Sequence, residues 1–88
     1  MKIYYSSKFA GEYKKLPLKI KKIAEKKEQI FRKNPFDPRL KTHKLRGSLR
    51  GFFSFSINQK YRVIFEMINP NTVWFHSVGG HSIYKLWD

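Results

Sequence analysis

The chain has 88 residues, 19 of them Lys or Arg and six Asp or Glu, giving a net charge of +13 and a pI near 10.2. Its 41% hydrophobic and 17% aromatic content supplies the apolar area for one small core and excludes an intrinsically disordered chain. The lack of cysteine excludes disulfides and thiolate metal sites, and no apolar run reaches the ~18 residues of a membrane span.

The first residues, Met1 to Lys8, lack the apolar stretch of a signal peptide, so a cytoplasmic location is expected. Ile3-Tyr4-Tyr5 reads as a short strand, and either Ser6 or Ser7 can cap the helix that follows. Phe9, Tyr13 and Leu16 form its apolar stripe. Pro17 breaks this helix and suits the first turn of a second one, predicted over residues 17–33 with Ile20, Ile23, Ala24 and Ile30 buried. Asn34-Pro35 ends it, and the two helices make a hairpin.

Beyond the loop Phe36-Asp37-Pro38-Arg39 the apolar period changes from helical to two. Residues 42–45 read as a short strand, and Gly47 to Gly51 as a turn bracketed by glycines. Phe53, Phe55 and Ile57 alternate with Ser54 and Ser56. After the turn Asn58-Gln59-Lys60, residues 61–67 place Tyr61, Val63, Phe65 and Met67 on one face and Arg62, Ile64 and Glu66 on the other. Asn69-Pro70-Asn71 turns the chain into a last strand, residues 72–78, closed by Gly79-Gly80. The expected fold is α+β and two-layered: an N-terminal strand, then a helical hairpin packed on a mainly antiparallel sheet of four to five strands, all in one domain spanning 1–88. The sheet face away from the helices has no second layer in this reading, so Ser54, Ser56, Arg62 and Glu66 are expected to line an open groove.

The charge is lopsided. Sixteen of the 19 cations and four of the six acids lie in residues 1–50. A field of this sign attracts polyanions, and the lysines of the second helix, among them Lys19, Lys22 and Lys26, read as a phosphate-steering surface rather than as chemistry. Lys41 and Lys44 flank His43 and serve either phosphate binding or solvation. His81 follows a diglycine, and imidazole, with its unperturbed pKa near ~6.5, can give or take a proton at neutral pH. Arg62 sits on the polar side of its strand, fit either to clamp a phosphate or to pair with Glu66. His43 shares strand parity with Leu45 and is expected to point toward the core; His76 is expected to be structural. Tyr84 and Trp87 are either base-stacking rings or a tail docked on the sheet. Three histidines without ligand-like spacing point to no metal site, and no cofactor motif is present.

Several segments taken in order carry a resemblance over nearly the whole chain: the helical hairpin, Lys44-Leu45-Arg46-Gly47, Gly51-Phe52-Phe53-Ser54-Phe55-Ser56-Ile57, Tyr61-Arg62-Val63-Ile64-Phe65, Val78-Gly79-Gly80-His81 and Tyr84. In this pattern the chain resembles the RelE/ParE toxin superfamily, with the RelE/YafQ-like branch favoured. The resemblance implies the toxin of a toxin–antitoxin pair, acting as a metal-independent, ribosome-dependent mRNA endonuclease in which the ribose 2′-OH attacks its own phosphodiester. It implies that Arg62 contacts the scissile phosphate, that His81 takes a position held by Arg or His, that Tyr84 orients the mRNA, and that His43 matches an upstream histidine of YafQ-like members. Lys41, Lys44 and Arg46, with Lys19, Lys22 and Lys26, are the implied RNA contacts, and an acidic antitoxin is the implied partner. The ParE branch implies the alternative, a non-enzymatic inhibitor of DNA gyrase; a degenerate toxin that only binds RNA or its antitoxin is a further one. The chain departs from the pattern at Ser56, where relatives often carry Arg or His. It departs again at Phe53 and Phe55, near lysines of RelE-type enzymes, and at Ser77, which replaces a late arginine. Tyr84 lies three residues after His81, where some relatives have four.

Overall fold

The computed structural model describes residues 1–87, with side chains through Tyr84. Strand β1 (Lys2–Tyr5) leads into helix α1 (Ser7–Lys14) through Ser6, the residue that caps it. The Ser6 hydroxyl accepts the N–H of Phe9 at 2.9 Å and donates to the carbonyl of His76 at 2.9 Å, so one side chain starts the helix and ties it to the sheet. Pro17 stands at the N-cap of α2 (Leu18–Lys33), and Asn34 leaves the helix in extended conformation ahead of Pro35. Strands β2 (His43–Lys44), β3 (Phe53–Ser56), β4 (Arg62–Asn69) and β5 (Thr72–Gly79) follow. Gly51 holds a φ of 100° in the turn before β3, a conformation that side-chain-bearing residues seldom adopt.

The sheet order is β1-β5-β4-β3-β2. All neighbours are antiparallel except β1, which runs parallel to β5. The fold is α+β, with the helical hairpin on one face of a five-stranded, mainly antiparallel sheet. Phe31 of α2 is the centre of the core between the layers. Its ring lies 5.0, 4.9 and 5.2 Å from those of Phe55, Phe65 and Phe75, and all four rings are buried. The expected stripe of Ile20, Ile23, Ala24 and Ile30 packs against this cluster but stays half-buried. Phe31 lies three turns beyond Ile20 on the same stripe, and its larger ring reaches the sheet centre.

Alternation along β5 is broken once. Ile64 pairs with Ser77 and Phe65 with Phe75, so His76 is an extra residue, a β-bulge. The bulge lets Phe75 and Val78 both reach the core although an odd number of positions separates them. β1 stops at Tyr5 while β5 continues to Gly79, and α1 takes over the edge that β1 leaves. The Glu12 carboxylate accepts the Val78 N–H at 3.1 Å and the Ser77 hydroxyl at 2.8 Å, with Lys8 Nζ 2.7 Å from its second oxygen. A side chain thus stands in for a missing strand.

The outer face, turned away from the helices, is not the uncovered groove expected from the sequence. Leu49, Ile64 and Ile83 are buried although they lie outside the main core cluster, and Ser54 is fully buried beside them in the chain's polar set. The 3-10 turn at Gly47–Leu49 carries the buried Leu49, and the 3-10 turn that opens at His81 lays Ile83 and Tyr84 over this face. Gly79 makes the second possible: a Cβ there would stand 2.5 Å from Cγ2 of Ile83. The physical reason is Ile64, a large apolar group in the middle of the polar side of β4 that gains by leaving water. Ser56, Arg62 and Glu66 remain partly accessible. No helix among the described residues is long and apolar enough to cross a membrane.

Candidate active site

Residues directly opposite in an antiparallel pair share a face of the sheet, and the register therefore assigns each candidate. His43 lies opposite Ser54, and Ser54 opposite Ile64, which puts His43 on the outer face. It is exposed there, not directed to the core. His43 does share its face with Leu45, but that face is the outer one: the Leu45 N–H bonds to the carbonyl of Phe52, one residue from the Lys44–Phe53 pair. The Nδ1 of His43 is 3.1 Å from the Lys41 carbonyl. A carbonyl only accepts, so a neutral imidazole in this contact carries its proton on Nδ1 and offers the Nε2 lone pair as a base. Lys41 reaches this geometry with a left-handed backbone, φ 53°.

Arg62 begins β4 opposite Ser56 on one side and Gly79 on the other. It does not pair with Glu66, which binds His76 instead, Nε2 to Oε1 at 2.9 Å. Arg62 Nη1 donates to the carbonyl of Asn58 and, at 3.2 Å, to that of Tyr61. The turn between β3 and β4 thereby fixes the guanidinium, and its Nε and Nη2 remain for a further acceptor such as phosphate.

Two residues past Gly79, His81 opens the last 3-10 turn and is exposed. Its ring centre is 6.2 Å from that of Tyr84. The Tyr84 hydroxyl is 2.8 Å from that of buried Ser54, so Tyr84 crosses from the tail onto the outer face. A chain of neighbours runs from His43 through Ser54 and Tyr84 to His81, with Arg62 one row away across Ser56 and Gly79. Four side chains, His43 of β2, Arg62 of β4 and His81 and Tyr84 of the tail, are brought to one end of one face. The Trp87 side chain, and with it the expected docking of that ring, lies outside the described residues.

The six proposed RNA-contacting cations divide into two groups. Lys41, Lys44 and Arg46 are exposed around β2, beside His43. Lys19, Lys22 and Lys26 are exposed on α2, in the layer on the opposite side of the sheet. They do not converge with the histidines and act on a ligand only if it is large enough to reach both sides. A hollow of about 380 Å³ between the hairpin and the sheet is lined by apolar core side chains such as Phe9, Phe55 and Phe75, with Glu25 and Glu28 beside them, and contains none of the site candidates.

Sequence reasoning passed over two features. One is the Glu66–His76 pair, hidden because the bulge at His76 shifts the register. The other is the exposed ring of Trp74 stacked on His76 at 4.9 Å; their separation by two on a strand was the available signal.

No protein-family model matches the chain, and no curated protein matches it. Solved structures do. The crystal structure of YafQ from E. coli strain BL21(DE3) has a TM-score of 0.78 at 19% identity, covering 93% of this chain and 94% of that one. The YoeB/ParE toxin from Agrobacterium tumefaciens has a TM-score of 0.78 at 15% identity, with coverage of 92% and 99%. The YoeB–YefM complex from Staphylococcus aureus has a TM-score of 0.75 at 22% identity, with coverage of 92% and 97%. The superpositions run over nearly the whole of each chain: this chain has the RelE-like fold of these toxin structures.

Proposed function

We propose that the protein is the toxin of a toxin–antitoxin pair and a metal-independent endoribonuclease that cuts mRNA on the ribosome. The observation that supports this reading is the gathering of His43, Arg62, His81 and Tyr84 at one end of the outer face of a strongly basic domain. In the reaction the Nε2 of His43 takes the proton of a ribose 2′-OH. The 2′-oxygen forms a bond to the adjacent phosphorus, and the bond from phosphorus to the 5′-oxygen breaks. His81 gives its proton to the departing 5′-oxygen. Arg62, braced by its turn, faces the charge that builds on the phosphorane. Tyr84 holds the nucleotide. The products are a 2′,3′-cyclic phosphate and a 5′-OH.

The lysines of α2 lie too far round the molecule for this chemistry and suit the backbone of a large RNA, as a ribosome offers. An acidic antitoxin complements the same surface, and the site of this work is the cytoplasm. One observation favours the second reading, a non-enzymatic ParE-like inhibitor of gyrase: Arg62 Nη1 and the Tyr84 hydroxyl already have partners within the protein.

Mapping RNA 5′ ends after brief induction separates the two. Cuts confined to a translated message, absent when its start codon is removed, are the expected result. Growth arrest with intact mRNA and damaged DNA moves the assignment to gyrase. Arg62→Ala and His81→Ala are each expected to relieve toxicity in a folded protein; undiminished toxicity in both removes the mechanism.

A further inference from the structure

The next row of the outer face, beyond that of Ser54 and Ile64, carries a second cluster that this chemistry does not use. Tyr4 of β1 is paired with Trp74 of β5, and Trp74 with Glu66 of β4. Phe52 lies just before the Phe53–Phe65 pair and so continues the row. Large rings of this kind are normally withdrawn from water, yet Tyr4 is 54% and Trp74 41% exposed. The row is also held rigid. His76 stacks on Trp74 at 4.9 Å and 28°, meets the edge of Phe52 at 5.2 Å, and is fixed by Glu66 at 2.9 Å.

We propose that this row is a stacking subsite for a purine of single-stranded RNA, one that carries an exocyclic amino group. The inference rests on the reading of the protein as acting on RNA. Stacking uses the flat rings, with Trp74 as the principal platform and Tyr4 beside it. Glu66 has a second carboxylate oxygen that a base amino group can meet. An apolar side chain of a protein partner would cover the same polar atoms and give them nothing. Lys2 lies two residues from Tyr4 on the same strand, exposed, with a charge for the adjoining phosphate. The subsite and the reaction centre occupy successive rows of one face, so a single strand of RNA running across the sheet can meet both.

The test is equilibrium binding, measured by fluorescence anisotropy, of a 2′-O-methyl oligo-A octamer that 2′-OH attack cannot cut, against an abasic strand of the same length. The wild type is expected to prefer oligo-A. Trp74→Ala is expected to lower oligo-A affinity about tenfold and leave abasic binding unchanged, while Trp74→Phe retains most of the preference. Tyr4→Ala carries the same expectation at smaller size and serves if Trp74→Ala does not fold. Folded variants with undiminished oligo-A affinity, or with equal losses for both strands, overturn the subsite and leave the row to a protein partner. Base-dependent binding without any cleavage in cells overturns the nuclease reading alone, and cleavage without base-dependent binding overturns the subsite alone.

Discussion

On the helical side of the sheet, phenylalanines from α2, β3, β4 and β5 meet ring to ring with no polar atom among them. On the outer side the rings stand partly in water, and the polar groups are matched in twos: Ser54 with Tyr84, Glu66 with His76, Arg62 with its turn. The same three central strands, β3, β4 and β5, furnish both faces by alternation. The helical side spends its residues on one dense cluster and supplies most of the folding free energy. The outer side holds chemistry-bearing groups at fixed positions and can be altered with little loss of stability.

The comparison breaks first at Phe31. Phe31→Ala removes the ring that touches three others, and a loss of about 3–5 kcal/mol is expected in urea unfolding, a large fraction of what a domain this small has. His81→Ala on the outer side is expected to stay within about 0.5 kcal/mol of wild type in the same experiment. Comparable losses for the two would dissolve the distinction. Next is Glu12→Ala, which strips the partner from the Val78 N–H and the Ser77 hydroxyl; a loss of about 1–3 kcal/mol is expected, with faster amide exchange at Val78. Tyr84→Phe leaves the buried Ser54 hydroxyl without its partner and is expected to cost about 1 kcal/mol, recovered in part by adding Ser54→Ala.

The smallest effect is a pH dependence. Burial, and then the hydrogen bond to Glu28 at 2.7 Å, raise the Tyr5 phenol above its ordinary value of 10.0. A group whose pKa is raised by folding stabilises the protein fully below its unfolded value, and that contribution is lost as pH rises through the folded value. Thermal stability is therefore expected to fall above pH ~10, and less steeply in Tyr5→Phe. An unchanged slope in that variant would remove Tyr5 from the account; Tyr13, raised chiefly by burial, would then carry it.

The hairpin, the strands and their turns were legible because each has a local cause: Ser6 at a cap, Pro17 and Pro35 as breaks, and two-residue alternation in β3 and β4. The parallel pairing of β1 with β5 was not, since nothing local distinguishes which strand a four-residue segment will join. Nor was the bulge at His76, which depends on how two strands share register. For the site, the sequence placed Arg62 on the outer face of β4 and left open whether it pairs with Glu66; in the structure it does not. Glu66 stands opposite Trp74, and its carboxylate is taken by the bulged His76 across the strand pair, a contact that depends on register. His43 was legible by type and not by direction, because a two-residue edge strand has too short an alternation to read.

Glu12 has a consequence beyond its own hydrogen bonds. An exposed strand edge is a template on which another chain can add, and repeated addition ends in fibres. At the upper half of β5 the edge N–H of Val78 is occupied by a carboxylate, which has nothing to donate to an incoming strand and no backbone on which to continue. The sheet is terminated there by chemistry as well as by the helix that brings it, so that growth by strand addition at this point must first displace an ion-paired side chain together with α1.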